Sequence, residues 1–248
     1  MSKAAIDVQD LRRDFGDFTA VDGITFRVER GEIFGFLGAN GAGKTTSMRM
    51  LTGLLGPTSG HAEVAGLDIY RRAEDIKRRI GYMSQKFSLY EDLTVWENIR
   101  LYGGIYGLTD REIEAKASGL LQATGLSGSR DERIRSLPLG WRQKLAFSVA
   151  LLHDPEIVFL DEPTSGVDPV TRRQFWEEIY RVASHGTTVF VTTHYMDEAE
   201  YCDRLSIMVD GRIEALGSPE GLKESRNAAS IEEIFIRLAR TAIRGEGS

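Results

Sequence analysis

The chain has 248 residues, 42% of them hydrophobic and 27% charged, with a formal net charge of −6. That length allows one large domain or two small ones with a real core, and the composition is that of a soluble globular protein. The acidic balance argues against a surface given over to nucleic acid, which is not expected as a partner. A single cysteine, Cys202, excludes an intrachain disulfide and fits a reducing compartment. No apolar run reaches the roughly 18 residues that cross a bilayer. The N-terminus carries Asp7 and Asp10 and lacks a signal-peptide core, so any service to a membrane is expected from outside the lipid.

Residues 4–10 and 24–28 alternate apolar and polar side chains, which predicts strands. Phe15 and Phe18 fall on the expected loop between them, where they either cap a core edge or offer a stacking platform for adenine. Ile33-Phe34-Gly35-Phe36-Leu37 predicts a buried strand, and Gly38-Ala39-Asn40-Gly41-Ala42-Gly43-Lys44-Thr45-Thr46 follows it, opening a helix. This stretch fits GxxxxGK[ST], the phosphate-binding loop, in the strand-to-helix context that the motif requires. A glycine-rich turn lets the N–H groups of 39–45 face an anion, with the helix N-terminus adding partial positive charge. Lys44 would reach the β- and γ-phosphates and the Thr45 hydroxyl would ligate Mg²⁺, the ion that accompanies ATP as substrate. The bland alternative is a glycine-rich turn with an incidental lysine.

Residues 72–79 predict a short charged helix and 80–85 a strand closed by Gln85. From about 95 to 150, Trp96, Ile99, Leu101, Tyr102, Ile113, Leu120 and Leu121 recur at helical spacing, an insert in an otherwise α/β chain. Leu137-Pro138-Leu139-Gly140-Trp141 predicts a turn opening a further helix that Asp154-Pro155 ends. Ile157-Val158-Phe159-Leu160 then predicts a central parallel strand, followed by Asp161 and Glu162 where α/β sheets place ligands. Those acids suit either a solvated turn or, beside a phosphate loop, a Mg²⁺-site carboxylate. Residues 187–193 form another β-branched strand ending at His194, expected beside the Asp161 strand. Asp210-Gly211 marks a hairpin within 205–216. Ile231, Ile234, Phe235 and Leu238 stripe one face of an amphipathic helix expected to pack on the domain, before a fraying tail at 245–248.

The order of phosphate loop, glutamine, helical insert, glycine-containing turn, Asp-Glu strand and histidine resembles the ATP-binding cassette (ABC) ATPases over about residues 4–220. The resemblance implies an α/β fold: a P-loop NTPase (RecA-like) core with an N-terminal antiparallel β subdomain and an inserted α-helical subdomain. It places the ATPase domain at 1–225, with the helical insert at about 87–150, and a C-terminal amphipathic helix and tail at 226–248. It implies that Phe15 stacks on adenine, where the family usually has tyrosine. Gly38, Asn40, Gly41, Ala42, Gly43, Lys44, Thr45 and Thr46 would then bind nucleotide. Gln85 would reach Mg²⁺ and the attacking water, Asp161 would serve the metal with Thr45, and Glu162 would be the general base. His194 would touch the γ-phosphate, and Asp168, in Ser165-Gly166-Val167-Asp168, would signal across a dimer of cassettes.

The family's LSGGQ signature acts in trans on ATP held by the opposite subunit. Here it stands as Leu137-Pro138-Leu139-Gly140-Trp141, with Leu137, Gly140 and Gln143 as the expected trans contacts. Pro138 supplies neither the hydroxyl nor the N–H of the family's serine, although proline is tolerated where a helix begins. Residues 89–98 and 193–200 look most like subunits of ABC-2-type exporters. The implied protein is the ATP-hydrolysing motor of a membrane transporter, peripheral on the cytoplasmic face. Its partners would be a transmembrane permease subunit and a second cassette, identical or not. The rival reading is a soluble ABC-type ATPase acting on ribosomes or DNA, whose relatives usually carry two cassettes or a long coiled-coil insertion. A P-loop kinase is disfavoured by Glu162, which suits water activation.

Overall fold

The computed structural model describes residues 4–85 and 89–245, with side chains to 240. In chain order the elements are β1 (Ile6–Phe15), β2 (Phe18–Val28), β3 (Ile33–Gly38), α1 (Lys44–Leu51), β4 (Ser59–Val64), β5 (Leu67–Asp68), α2 (Ala73–Lys77) and β6 (Ile80–Met83). There follow α3 (Val95–Ile105), α4 (Asp110–Thr124), a 3-10 turn at Ile134–Ser136, α5 (Leu139–Ala150), β7 (Ile157–Asp161) and α6 (Pro169–Ser184). The chain closes with β8 (Thr188–Thr193), α7 (Met196–Ala199), β9 (Arg204–Val209), β10 (Arg212–Gly217), α8 (Pro219–Ser225) and α9 (Ile231–Gly245).

A six-stranded sheet runs in the order β10-β9-β3-β8-β7-β6, parallel except for the β9–β10 hairpin. Every residue of β3, β7 and β8 is buried. Such apolar and β-branched runs belong to strands covered on both faces, where no polar alternation is needed. On one face lies the antiparallel sheet β2-β1-β4-β5. Phe26 joins Phe34, Phe36, Phe159 and Phe190 there, with ring centroids 5.3 to 6.1 Å apart. The helical block α3–α5 and α6 cover the other face through Ile99, Ile113, Phe147 and Phe175. Ile231 and Ile234 of α9 are fully buried with Leu205 and Ile207, and Phe235 and Leu238 pack on them, so the apolar stripe docks on the domain as expected.

Local sequence signals set the helical block. Thr94 with Glu97 and Thr109 with Glu112 form reciprocal capping boxes at the starts of α3 and α4. α4 stops at Gly125 in the left-handed conformation. Fully buried Asn98 donates to the Tyr90 and Thr94 carbonyls and accepts from the Tyr90 N–H, which fixes the chain entering α3. Asp210 and Gly211 both have positive φ, the geometry of a tight two-residue hairpin.

Two expectations shift. Phe15 and Phe18 are not on a loop: they pair across the ends of β1 and β2, joined by a turn with Gly16 at φ +59°. Register shifts along β1 and β2 break the apolar–polar alternation that would have revealed these longer strands. α5 also ends at Ala150, four residues before Asp154, and Asp154 itself takes φ +53° ahead of Pro155. Of the predicted insert at 87–150, residues 87 and 88 lie outside the described residues, as do 246–248 of the tail.

Candidate active site

Parallel pairing brings the carboxyl ends of three strands to one edge. Leu37 of β3 sits beside Thr193 of β8, and Asp161 of β7 beside Thr192 of β8. The phosphate loop, the two acids and His194 therefore emerge together, as the topology of open α/β sheets requires.

The loop from Gly38 to Lys44 wraps tightly. Gly43 has φ +103°, and a Cβ there would stand 2.4 Å from the Ala20 carbonyl oxygen; a Cβ on Gly38 would stand 2.7 Å from that of Met208. Only glycine fits either position. Lys44 is 4% exposed, and its Nζ donates to the carbonyls of Gly38 at 2.8 Å and Ala39 at 3.1 Å. The same ammonium lies 3.3 Å from Glu162 Oε1.

Glu162 is the meeting point of the site. Successive strand residues point to opposite faces. Here Glu162 leaves the strand with φ +49°, a conformation that costs a non-glycine residue about 1–3 kcal/mol. Its N–H is held by the Thr192 carbonyl at 3.1 Å and hydroxyl at 3.0 Å. Its side chain turns to Lys44, to Gln85, whose Nε2 donates to Oε2 at 2.8 Å, and to His194, whose Nδ1 lies 3.0 Å from the same oxygen. As a donor His194 must be the tautomer protonated on Nδ1.

Asp161 faces the other way. Its Oδ1 accepts from Thr192 Oγ1 at 2.6 Å and from Thr45 Oγ1 at 3.2 Å. Burial pushes its carboxyl above the usual range, opposed by those two hydroxyl donors. Nearby Tyr82 is pushed up to about 12 by burial and by the Asp161 charge. The Thr45 hydroxyl and the Asp161 carboxylate are hard oxygen donors of the kind that Mg²⁺ takes, so the residues present fit that ion.

A cleft of about 530 Å³ opens here, bounded by Phe15, Phe18, Ala20, Asn40, Gly41, Gly43, Lys44, Thr45, Thr46, Gln85 and Glu162, with Asp161 and His194 behind its wall through Thr45 and Glu162. Phe15 and Phe18 stay exposed at its mouth, and the Arg13 guanidinium lies 4.5 Å from the Phe15 ring centroid. Gly38 and Ala42 shape the loop from beneath, Ala42 being buried. A larger cavity of about 650 Å³ lies between α4, α5 and α6, with Lys116, Arg181 and His185 in its wall. It contains neither the phosphate loop nor the acids, so the smaller cleft is the candidate site.

The 137–143 segment is arranged differently. Leu137 is buried in the core and Gln143 points inward, donating to the Ser165 carbonyl at 3.2 Å. Pro138 is the N-cap of α5, and Trp141 and Arg142 both donate to its carbonyl at 3.1 Å. The Leu139 and Gly140 N–H groups stay unbonded among the described residues, as first-turn donors of a helix do. Gly140 packs on Thr171, where a Cβ would stand 2.8 Å from Cγ2. Asp168 caps α6, accepting from Val170 and Thr171 N–H and from the Thr171 hydroxyl at 2.6 Å. That hydroxyl and the cap bonds hold its carboxyl below the usual range. Sequence reasoning missed Thr192 and Arg13. The register of β8 against β7 identifies the first, and the strand extension to Phe15 the second.

A family model described as ABC transporter matches residues 21–165, more than half of the chain. The chain belongs to the ABC transporter family. It is one of that family's ATP-binding cassettes, with the α/β core and antiparallel subdomain found in their structures. It is 47% identical over 241 residues to the probable multidrug ABC transporter ATP-binding protein YbhF of Escherichia coli, covering 95% of this chain and 42% of that one. The chain thus spans less than half the length of this relative. It is 39% identical to the Nod factor export ATP-binding protein I of Paraburkholderia xenovorans, over 95% of this chain and 78% of the other. A solved ATP-binding subunit of an ABC transporter superposes with a TM-score of 0.85 at 30% identity, covering 94% of this chain and 99% of the other. Among the described residues, no helix is long and apolar enough to cross a membrane.

Proposed function

We propose that this cassette hydrolyses ATP as the motor subunit of an ABC exporter, on the cytoplasmic face of a membrane. The observation that carries the reading is the convergence of Lys44, Gln85 and His194 on Glu162 at the rim of the phosphate-loop cleft. A γ-phosphate in the loop offers Lys44 a partner of higher charge than Glu162, freeing one carboxylate oxygen for a water. Glu162 then takes the proton of that water as it attacks in line, while Gln85 and His194 hold the carboxylate and the phosphoryl oxygens. Thr45 and Asp161 would hold Mg²⁺, with Gln85 at the rim, and the ion would supply charge to offset that developing on the phosphates. Phe15 stacks on adenine, and the N–H groups of 39–45 cradle the phosphates.

Export is supported by the two curated relatives, one named for multidrug transport and the other for Nod factor export. The free N–H groups of Leu139 and Gly140 support a role for the signature segment in closing over ATP on a second cassette. Exposed Leu139, Trp141 and Val170 around it supply apolar surface for that contact. Tyr90, Leu101 and Ile105, exposed on the helical block, supply a docking face for a transmembrane permease subunit.

The test is Glu162→Gln with ATP and Mg²⁺. Hydrolysis falls about 10³-fold, within the range a positioned base supplies, while nucleotide affinity is retained. Size-exclusion chromatography then shows a trapped species of twice the monomer mass. Undiminished hydrolysis removes Glu162 as the base, and a monomer that still binds ATP removes the homodimer.

A further inference from the structure

Outside the Glu162 cluster, Glu32 is buried against Arg204, and a second carboxylate is buried more deeply. Glu198 of α7 is fully buried, yet it is not among the residues that line the cleft. Its Oε1 accepts from the Thr164 hydroxyl and its Oε2 from the Thr193 hydroxyl at 2.6 Å. Arg172 Nε lies 3.6 Å from Oε1, too long for a hydrogen bond, and is otherwise unpartnered among the described residues. Arg172 also pairs with Asp197 at 3.4 Å and stands over the Tyr195 ring at 4.0 Å, a ring that packs on His194.

The positions of these partners give the carboxylate its meaning. Thr164 lies two residues after Glu162, Thr193 directly precedes His194, and Arg172 donates its N–H to the carbonyl of Asp168. A single buried anion thus fastens the loop carrying the base, the loop carrying the histidine and the helix capped by Asp168. An apolar side chain would fill the same space without the cost of burying a charge. A carboxylate with two hydroxyl donors instead fixes direction as well as distance.

We propose that Glu198 is a positioning residue for hydrolysis, setting the 3.0 Å contact between His194 and Glu162 by clamping Thr164 and Thr193. It also links that contact to the state of the Asp168 loop through Arg172. The inference rests on the hydrolase reading, and its test separates the two. Thr164→Val is the primary variant, because its hydroxyl has Glu198 as its partner and valine keeps its shape. Thr164→Ser restores the hydroxyl, and Glu198→Gln keeps the volume while removing the charge. Steady-state ATPase kinetics, normalised to folded protein, are measured beside thermal melting for each.

Thr164→Val and Glu198→Gln are expected to lower kcat about tenfold, the scale of a modest misplacement of reacting groups, with KM for ATP changed less than about twofold. Thr164→Ser returns kcat to at least about half of the starting value, and the double change Thr164→Val with Glu198→Gln costs no more than either alone. A lower melting temperature with kcat per folded molecule unchanged makes Glu198 merely structural and overturns the proposal. So does a rise in KM that accounts for the whole loss. If Glu198→Gln fails to fold, the valine–serine pair decides by itself. No hydrolysis by the unsubstituted chain overturns the hydrolase reading and this inference with it.

Discussion

The cleft at the ends of β3, β7 and β8 and the segment at 137–143 use the same materials to opposite ends. Both place a glycine against a neighbouring element and both present N–H groups at the start of a helix that have no partner among the described residues. The cleft, however, surrounds its N–H groups with charged side chains aimed inward: Lys44, Asp161 and Glu162 are all nearly buried and all partnered. In the signature segment the polar side chain of Gln143 turns away to the Ser165 carbonyl, and Pro138 contributes no hydrogen at all. One region gathers charged side chains of its own chain around its backbone donors. The other offers backbone alone, so its contribution depends on what is brought to it.

The largest expected effect tests the self-contained half. Lys44→Ala removes the cation that reaches both the loop carbonyls and Glu162, and hydrolysis should fall about 10³-fold, as for loss of a transition-state charge partner. An ATPase assay showing less than a tenfold loss would mean that phosphate charge is met elsewhere, and the contrast between the two regions would collapse. Gly43→Ala acts on the backbone of the same half. At φ +103°, with the Ala20 oxygen 2.4 Å from the new Cβ, the loop must move. Nucleotide affinity, followed by calorimetry, should fall about 10²-fold, from strain of roughly 1–3 kcal/mol and from phosphate hydrogen bonds pulled out of line as the loop shifts.

How much of this was legible beforehand differs between the regions for a physical reason. Phosphate loop, acids and histidine were visible because each sits at the end of an apolar or β-branched run, and parallel strands must bring such ends to one edge. Thr192 was hidden: in a β-branched strand one threonine looks like the next, and only the pairing of β7 with β8 shows which hydroxyl meets Asp161. The strand extension to Phe15 was hidden by irregular register, because each shift moves the following side chains to the other face. The inward turn of Leu137 and Gln143 could not be read from a short motif, since it is set by packing against α6 and the Ser165 loop, which follow in sequence.

A smaller effect probes the rim of the cleft. Phe15→Ala should raise KM for ATP about tenfold with kcat little changed, since stacking of a base on an aromatic ring contributes about 1–3 kcal/mol and acts before chemistry. Phe18→Ala at the paired position serves as the comparison, and an equal effect there would divide the platform between both rings of the β1–β2 hairpin. Phe15→Trp should retain KM.

The smallest effect, and the sharpest for the contrast, belongs to Pro138→Ser. Serine restores both an N–H and a hydroxyl at the start of α5. If the segment closes over ATP in trans, each charge-assisted hydrogen bond regained is worth about 1.5–3 kcal/mol before the cost of ordering the contact. A rise in kcat of up to about tenfold is therefore expected. Stability offers the internal control. A serine N-cap favours the helix by about 0.5–2 kcal/mol over a residue with no capping side chain. Proline in turn restrains the unfolded chain by about 0.4–1 kcal/mol, which serine gives up. These terms nearly cancel, so the melting temperature should move little while the rate climbs. A stabilised protein with an unchanged rate would show that residue 138 matters only to its own helix, and that the closing surface lies elsewhere on the cassette.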